Sequence, residues 1–112
     1  MNRKAVIDCG TNTFNLIIVD FNQSLGPGRW KNVFSLRLPV KLGKGGVGRG
    51  IILQKRIKMG IDAIDEMHEA ILNFRATEVQ IFATSALRDA SNRLDFVNPV
   101  YEKFGYKVNI IS

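Results

Sequence analysis

The stretch AVIDCGTNTFNLIIVD, residues 5–20, decides the fold. Two apolar runs, AVI and LIIVD, flank the short polar segment DCGTNTFN. Their content of Val and Ile predicts two strands, over 4–9 and 14–21, joined by a tight turn. A hairpin needs a glycine, but it does not need an aspartate followed by Thr11, Asn12 and Thr13. Gly10 lets the backbone come close to a ligand. Successive amides in such a turn can form an anion nest, to which Thr11 and Thr13 add hydroxyl donors. Asp8 alone would repel phosphate, so it makes sense there if it holds a divalent cation or orients a water. On the residues alone, an ordinary hairpin and a phosphate site both stand.

Outward from this hairpin, QSLGPGR supplies glycine and proline for a second turn. WKNVFSLRLPVKL alternates apolar with polar residues, as a third strand with one wet face does, and Pro39 places its far end at an edge or bulge. The run LIIVDF is apolar enough to predict a second strand covered on both faces. GKGGVGRG is too rich in glycine for a helix or strand. From Leu53 to Phe74, Ile57, Ile61, Ile64, Met67, Ile71 and Phe74 recur every three or four residues, which predicts an amphipathic helix. Lys55, Arg56 and Lys58 lie early in it and Asp65, Glu66 and Glu69 late, against the helix dipole, so packing must hold it. TEVQIFAT (77–84) predicts a fourth strand, and Ser85 a cap for the short helix ALRDAS. NRLDFVNPVYEKFG predicts another helix, ended by Gly105 and kinked or broken at Pro99. YKVNIIS predicts a fifth strand.

The order β-β-β-α-β-α-β predicts an α/β fold with a mixed five-stranded sheet. Its first strands form an antiparallel meander, and helical crossovers make the later ones parallel. A domain seldom ends on so apolar a strand, so a longer parent protein is expected.

At 112 residues the chain holds one small domain, and 46% hydrophobic with 23% charged residues excludes disorder. No run approaches the roughly 18 apolar residues of a membrane span, and no secretory signal precedes the first strand. The lone Cys9 forms no internal disulfide, which agrees with a cytoplasmic location. Residues 1–60 carry 11 of the 16 Lys and Arg against two acids, whereas residues 61–112 carry five against eight. A basic half suits an anionic partner such as nucleic acid, nucleotide or polyphosphate, and equally a solvated surface.

The remaining motifs divide in the same way. GKGGVG matches the dinucleotide fingerprint in form only, because no helix opens on its last glycine. The loop is either a plain surface loop or a basic flap able to fold over an anion. Cys9 reads as a packed thiol and His68 as a partly buried helix residue, and the pair is too few for a structural zinc site. Trp30 and the seven Phe read as core, without the spaced pairs of an RNA-stacking sheet. ATSALRDASN (83–92) starts a helix at a strand end. It offers either amides and Arg88 to a phosphate, or a serine cap with Arg88 paired to Asp89 or Asp95.

Taken together and in order, VIDCGTNTFNLIIVD, LGKGGVGRG, TSALRDASN and VNIIS resemble the exopolyphosphatase / guanosine pentaphosphate phosphatase family. That family belongs to the actin-like ATPase superfamily. The resemblance implies a ribonuclease-H-like half-domain: residues 1–112 as one N-terminal domain, truncated at its C-terminal end. It implies that Gly10, Thr11, Asn12 and Thr13 bind phosphate, that Asp8 lies at Mg²⁺, and that Arg88 grips the phosphate chain. The catalytic glutamate is expected just after Ser112, so no residue of this chain is named as catalytic. The departures from the family are Cys9 for an aliphatic residue, Thr11 and Thr13 for serines, Asn15 where a basic or bulky residue is common, a basic loop at 43–50 where the family often has an acid, and Pro99.

The implied activity of the parent is hydrolysis of a terminal phosphoanhydride in inorganic polyphosphate or guanosine pentaphosphate, with the isolated chain inactive. The alternatives are a non-catalytic polyphosphate- or nucleotide-binding module and a kinase-like relative using ATP, the latter opposed by TSALRDASN. Nucleic acid and membrane are not expected as partners. Exposed strand edges are expected to bring two or more copies together, as a homodimer or a larger self-associate.

Overall fold

In a computed structural model, which describes residues 2–21, 29–46 and 48–111, eight elements follow one another. They are β1 (Asn2–Cys9), β2 (Thr13–Phe21), β3 (Lys31–Pro39), α1 (Gln54–Asn73), β4 (Glu78–Ala83), α2 (Ser85–Arg88), α3 (Leu94–Phe104) and β5 (Val108–Ile110). The strands form one sheet in the order β3-β2-β1-β4-β5. β1 pairs antiparallel with β2, and β2 with β3, while β1–β4 and β4–β5 are parallel. This is the mixed sheet that the element order implies. The QSLGPGR turn falls mostly outside the described residues.

The register puts Ile7 opposite Leu16 on one side and Ile81 on the other, with Val108 beside Ile81. These side chains are buried, as are Ala5, Cys9, Phe14, Ile18 and Ala83 on the same face, and the helices pack onto them. α1 contributes Ile57, Gly60, Ala63, Ile64, Met67 and Ile71, and α3 contributes Phe96 and Val100. Phe96 stands edge-on to Phe14 at 6.0 Å between ring centres. Gly60 is what lets Phe96 in, since a Cβ there would come within 2.9 Å of its Cε1. α1 has no acid in its first turn and no base in its last, so burial of this stripe holds it, as its charge order predicts.

Four expectations are corrected. β2 is not covered on both faces: Ile17 is 42% exposed, because the helices pack on the other side of the sheet. Trp30 is not core but 61% exposed, its ring lying 6.3 Å from that of Phe21. Pro39 does end an edge strand, but α3 continues through Pro99 without a break. The donor that Pro99 lacks would have served the carbonyl of Asp95, an exposed residue in the first turn, where water can take its place. Finally, Ser85 is not the cap of α2; Thr84 holds that position, with no side-chain bond to the helix. Gly105 ends α3 as expected, in the left-handed region at φ 75°.

Candidate functional site

The carboxyl ends of the neighbouring parallel strands β1 and β4 run into the two polar motifs. Open α/β sheets bind ligands at such strand ends. After β1, the amide of Gly10 donates to the carbonyl of Thr13 at 3.0 Å and closes the turn. A Cβ on Gly10 would sit 2.9 Å from that carbonyl, so the turn requires glycine for close approach. The Asn12 carbonyl accepts from the amides of Val40 (3.0 Å) and Lys41 (2.8 Å). The amides of Thr11 and Asn12 have no backbone acceptor among the described residues.

After β4, the Ser85 hydroxyl lies 2.9 Å from that of Thr11, a hydrogen bond that joins residues 74 apart in the sequence. The two motifs therefore meet. Beside this pair is a cavity of about 220 Å³, lined by Thr11, Ser85, Asp89 and the loop glycines Gly43, Gly46, Gly48 and Gly50. That loop is the third wall. Ser85 is the partner of Thr11 rather than a cap, and the signal for that is its hydroxyl directly beyond the end of β4.

Of the expected site residues, only Thr11 lines this cavity. Gly10, Asn12 and Thr13 belong to the same turn but do not line the cavity. Asp8 is exposed, on the sheet face away from the helices, between Asn15 of β2 and Phe82 of β4. Arg88 is exposed, and its Nε donates to Asp89 Oδ1 at 3.2 Å. α2 is only four residues long, so helix-dipole attraction for an anion is small here. The hydroxyls of Thr11 and Ser85 line the cavity, whereas Arg88 does not.

Cys9 is a packed thiol, as expected. It is 2% exposed, and burial, with the charge of Asp8 adding, pushes its thiol well above the ordinary range, so no thiolate forms near neutrality. His68 bonds through Nδ1 to the Tyr106 hydroxyl at 2.5 Å and lies against Phe104, a packed helix position as expected. Burial raises the pKa of Tyr106. No group of three or more His, Cys, Asp or Glu side chains that could hold a metal occurs among the described residues. No helix among them is long and apolar enough to cross a membrane.

Comparison with known proteins places this geometry. The profile of the Ppx/GppA phosphatase family matches residues 18–112. Exopolyphosphatase 2 of Mycobacterium tuberculosis is 34% identical over 93 residues, covering 83% of this chain and 29% of that protein. The crystal structure of an exopolyphosphatase from Cytophaga hutchinsonii superposes with a TM-score of 0.91 at 28% identity, over 98% of this chain and 34% of the other. The Ppx/GppA family member from Aquifex aeolicus does so at 0.89 and 26%, over 98% and 35%. The chain thus spans about a third of the length of these relatives, and its sheet superposes on part of their actin-like ATPase fold. The chain belongs to the Ppx/GppA phosphatase family.

Proposed function

We propose that this chain is the N-terminal portion of a phosphohydrolase that removes the terminal phosphate of inorganic polyphosphate or guanosine pentaphosphate. The observation that carries the reading is the hydrogen bond between Thr11 and Ser85, which brings two phosphate-type motifs to one mouth at the strand ends. A terminal phosphoryl group bound there would accept hydrogen bonds from the Thr11 and Asn12 amides and from the hydroxyls of Thr11, Thr13 and Ser85. Arg88 would rotate from Asp89 to the phosphate oxygens, exchanging a surface ion pair for a charge-assisted fork.

Asp8 suits a metal held mainly by its substrate: it is one exposed carboxylate, and Mg²⁺ commonly binds through one or two carboxylates, substrate oxygens and waters. When bound, Mg²⁺ would offset charge on the phosphate oxygens. Phosphoryl transfer needs positioning and charge stabilisation above all, and these are what the loop donors and Arg88 supply. Deprotonation of the attacking water falls to a glutamate outside the 112 residues.

The chain alone is expected to bind tripolyphosphate more tightly in the presence of Mg²⁺, and to release no phosphate from it above background. Calorimetry and a phosphate-release assay check the two halves. Absence of binding at millimolar ligand removes the reading, and magnesium-dependent turnover removes the assignment of the base to a residue elsewhere.

We further propose that copies of this chain associate through the outer edges of β3 and β5, which pair with no other strand among the described residues. Sedimentation is expected to give a mass above 12.6 kDa that rises with concentration. A constant monomer mass over a hundredfold concentration range would exclude it.

A further inference from the structure

The glycine-rich loop is tied down at both ends, and each tie goes to one of the two phosphate-type motifs. At its start, the amides of Val40 and Lys41 both donate to Asn12 of the first motif, at 3.0 and 2.8 Å. Lys41 adopts a left-handed backbone, φ 51°, to do so. A side-chain-bearing residue is held in that conformation only where its surroundings over-determine it. At the loop's end, Asn92 of the second motif grips a single residue, Ile52, with both halves of its amide. Its Oδ1 accepts from the Ile52 N–H at 2.9 Å, and its Nδ2 donates to the Ile52 carbonyl at 2.8 Å. The neighbouring Ser91 amide donates to the Gly50 carbonyl at 2.7 Å.

Ile52 is 2% exposed, so its backbone groups need partners, and an asparagine is the residue type that can serve a donor and an acceptor together. Between the two ties, Gly46 packs so closely that a Cβ would meet the Ile51 carbonyl at 2.0 Å. The described residues of the loop therefore form a built wall, and Gly43, Gly46, Gly48 and Gly50 line the cavity together with Thr11 and Ser85. It carries Lys41, Lys44 and Arg49, all exposed, and no acid from 41 to 50.

We propose that Asn92 is a positioning residue that sets this basic loop as the substrate wall, and that the loop engages the phosphates following the terminal one. This rests on the phosphate-binding reading above. The loop then discriminates by chain length: the Thr11 and Ser85 mouth serves the terminal phosphate, and the loop cations serve the rest of the polyanion. Asp89 also lines the cavity, so the exposed loop cations, which do not line it, would offset an acid as well as balance the charge of the polyanion.

The test compares orthophosphate and tripolyphosphate binding by calorimetry for the native chain, N92A, N92D and the exposed double variant K44Q/R49Q. Amide hydrogen exchange over residues 40–52 is measured on each. N92A is expected to speed exchange in the loop and to weaken tripolyphosphate at least tenfold, with orthophosphate changed less than twofold. N92D, which keeps the acceptor for the Ile52 amide and loses the donor, is expected to fall between. K44Q/R49Q changes two exposed side chains and is expected to reproduce the selective loss even if N92A proves too unstable to handle. Equal weakening of both ligands, unchanged tripolyphosphate affinity in K44Q/R49Q, or unaltered loop exchange in N92A overturns the proposal while leaving the phosphate reading in place. A native chain that binds neither ligand overturns both.

Discussion

Phe96→Ala is expected to lower the stability of the chain by about 3–5 kcal/mol, the range for truncating a buried aromatic. Phe96 is fully buried between α1 and the sheet, edge-on to Phe14 and against the one helical position, Gly60, that has no side chain. The backbone on both sides is fixed, so the vacated space cannot collapse well, and the cost belongs at the upper end. A domain of this size has a total stability of roughly 5–15 kcal/mol, so the variant would sit near its unfolding threshold. Urea denaturation checks it through a lower midpoint at an unchanged slope. A loss below about 1 kcal/mol would mean that the layer between α1, α3 and β2 is not packed as described. Phe14 directly follows Thr13, so loosening this pair is also expected to disorder the first motif and weaken phosphate binding.

Arg88→Gln is expected to act in the opposite sense, with large loss of binding and almost none of stability. Charge-assisted hydrogen bonds contribute about 1.5–3 kcal/mol, so tripolyphosphate affinity should fall roughly 10- to 150-fold. Folding should be nearly unaffected, because the side chain is 43% exposed and its recorded ion partner, Asp89, is 68% exposed. Such surface pairs contribute about 0–1 kcal/mol. Arg88→Lys, which keeps the charge and loses the planar fork, is expected to recover part of the affinity. Titration of the three proteins at two salt concentrations separates the fork from the charge, since the charge component weakens with salt. Identical affinities for the native chain and Arg88→Gln would rule out Arg88 as a phosphate ligand.

Much of this architecture was legible in the sequence because short-range periodicity carries it. Alternation and β-branched runs marked the strands, and the isoleucine spacing marked α1 to within a residue or so at each end. The left-handed end of α3 at Gly105 was equally local. The errors share a cause. The exposure of Trp30 and Ile17, the intact helix at Pro99 and the role of Ser85 depend on what lies opposite each residue in space. Local chemistry is silent on that.

The candidate site divides along the same line. By itself the sequence determined the residue types: a glycine that permits a close turn, hydroxyls on either side, an arginine, and a basic loop free of acids. Those follow from composition over a few neighbouring positions. Tertiary structure alone decided which of them converge. The parallel register of β1 against β4 brings Thr11 to Ser85, and the amide of Asn92 brings Ile52, 40 residues away, down onto the second motif. Such contacts close long loops, and their geometry is set by the sheet's register and the packing of the whole core.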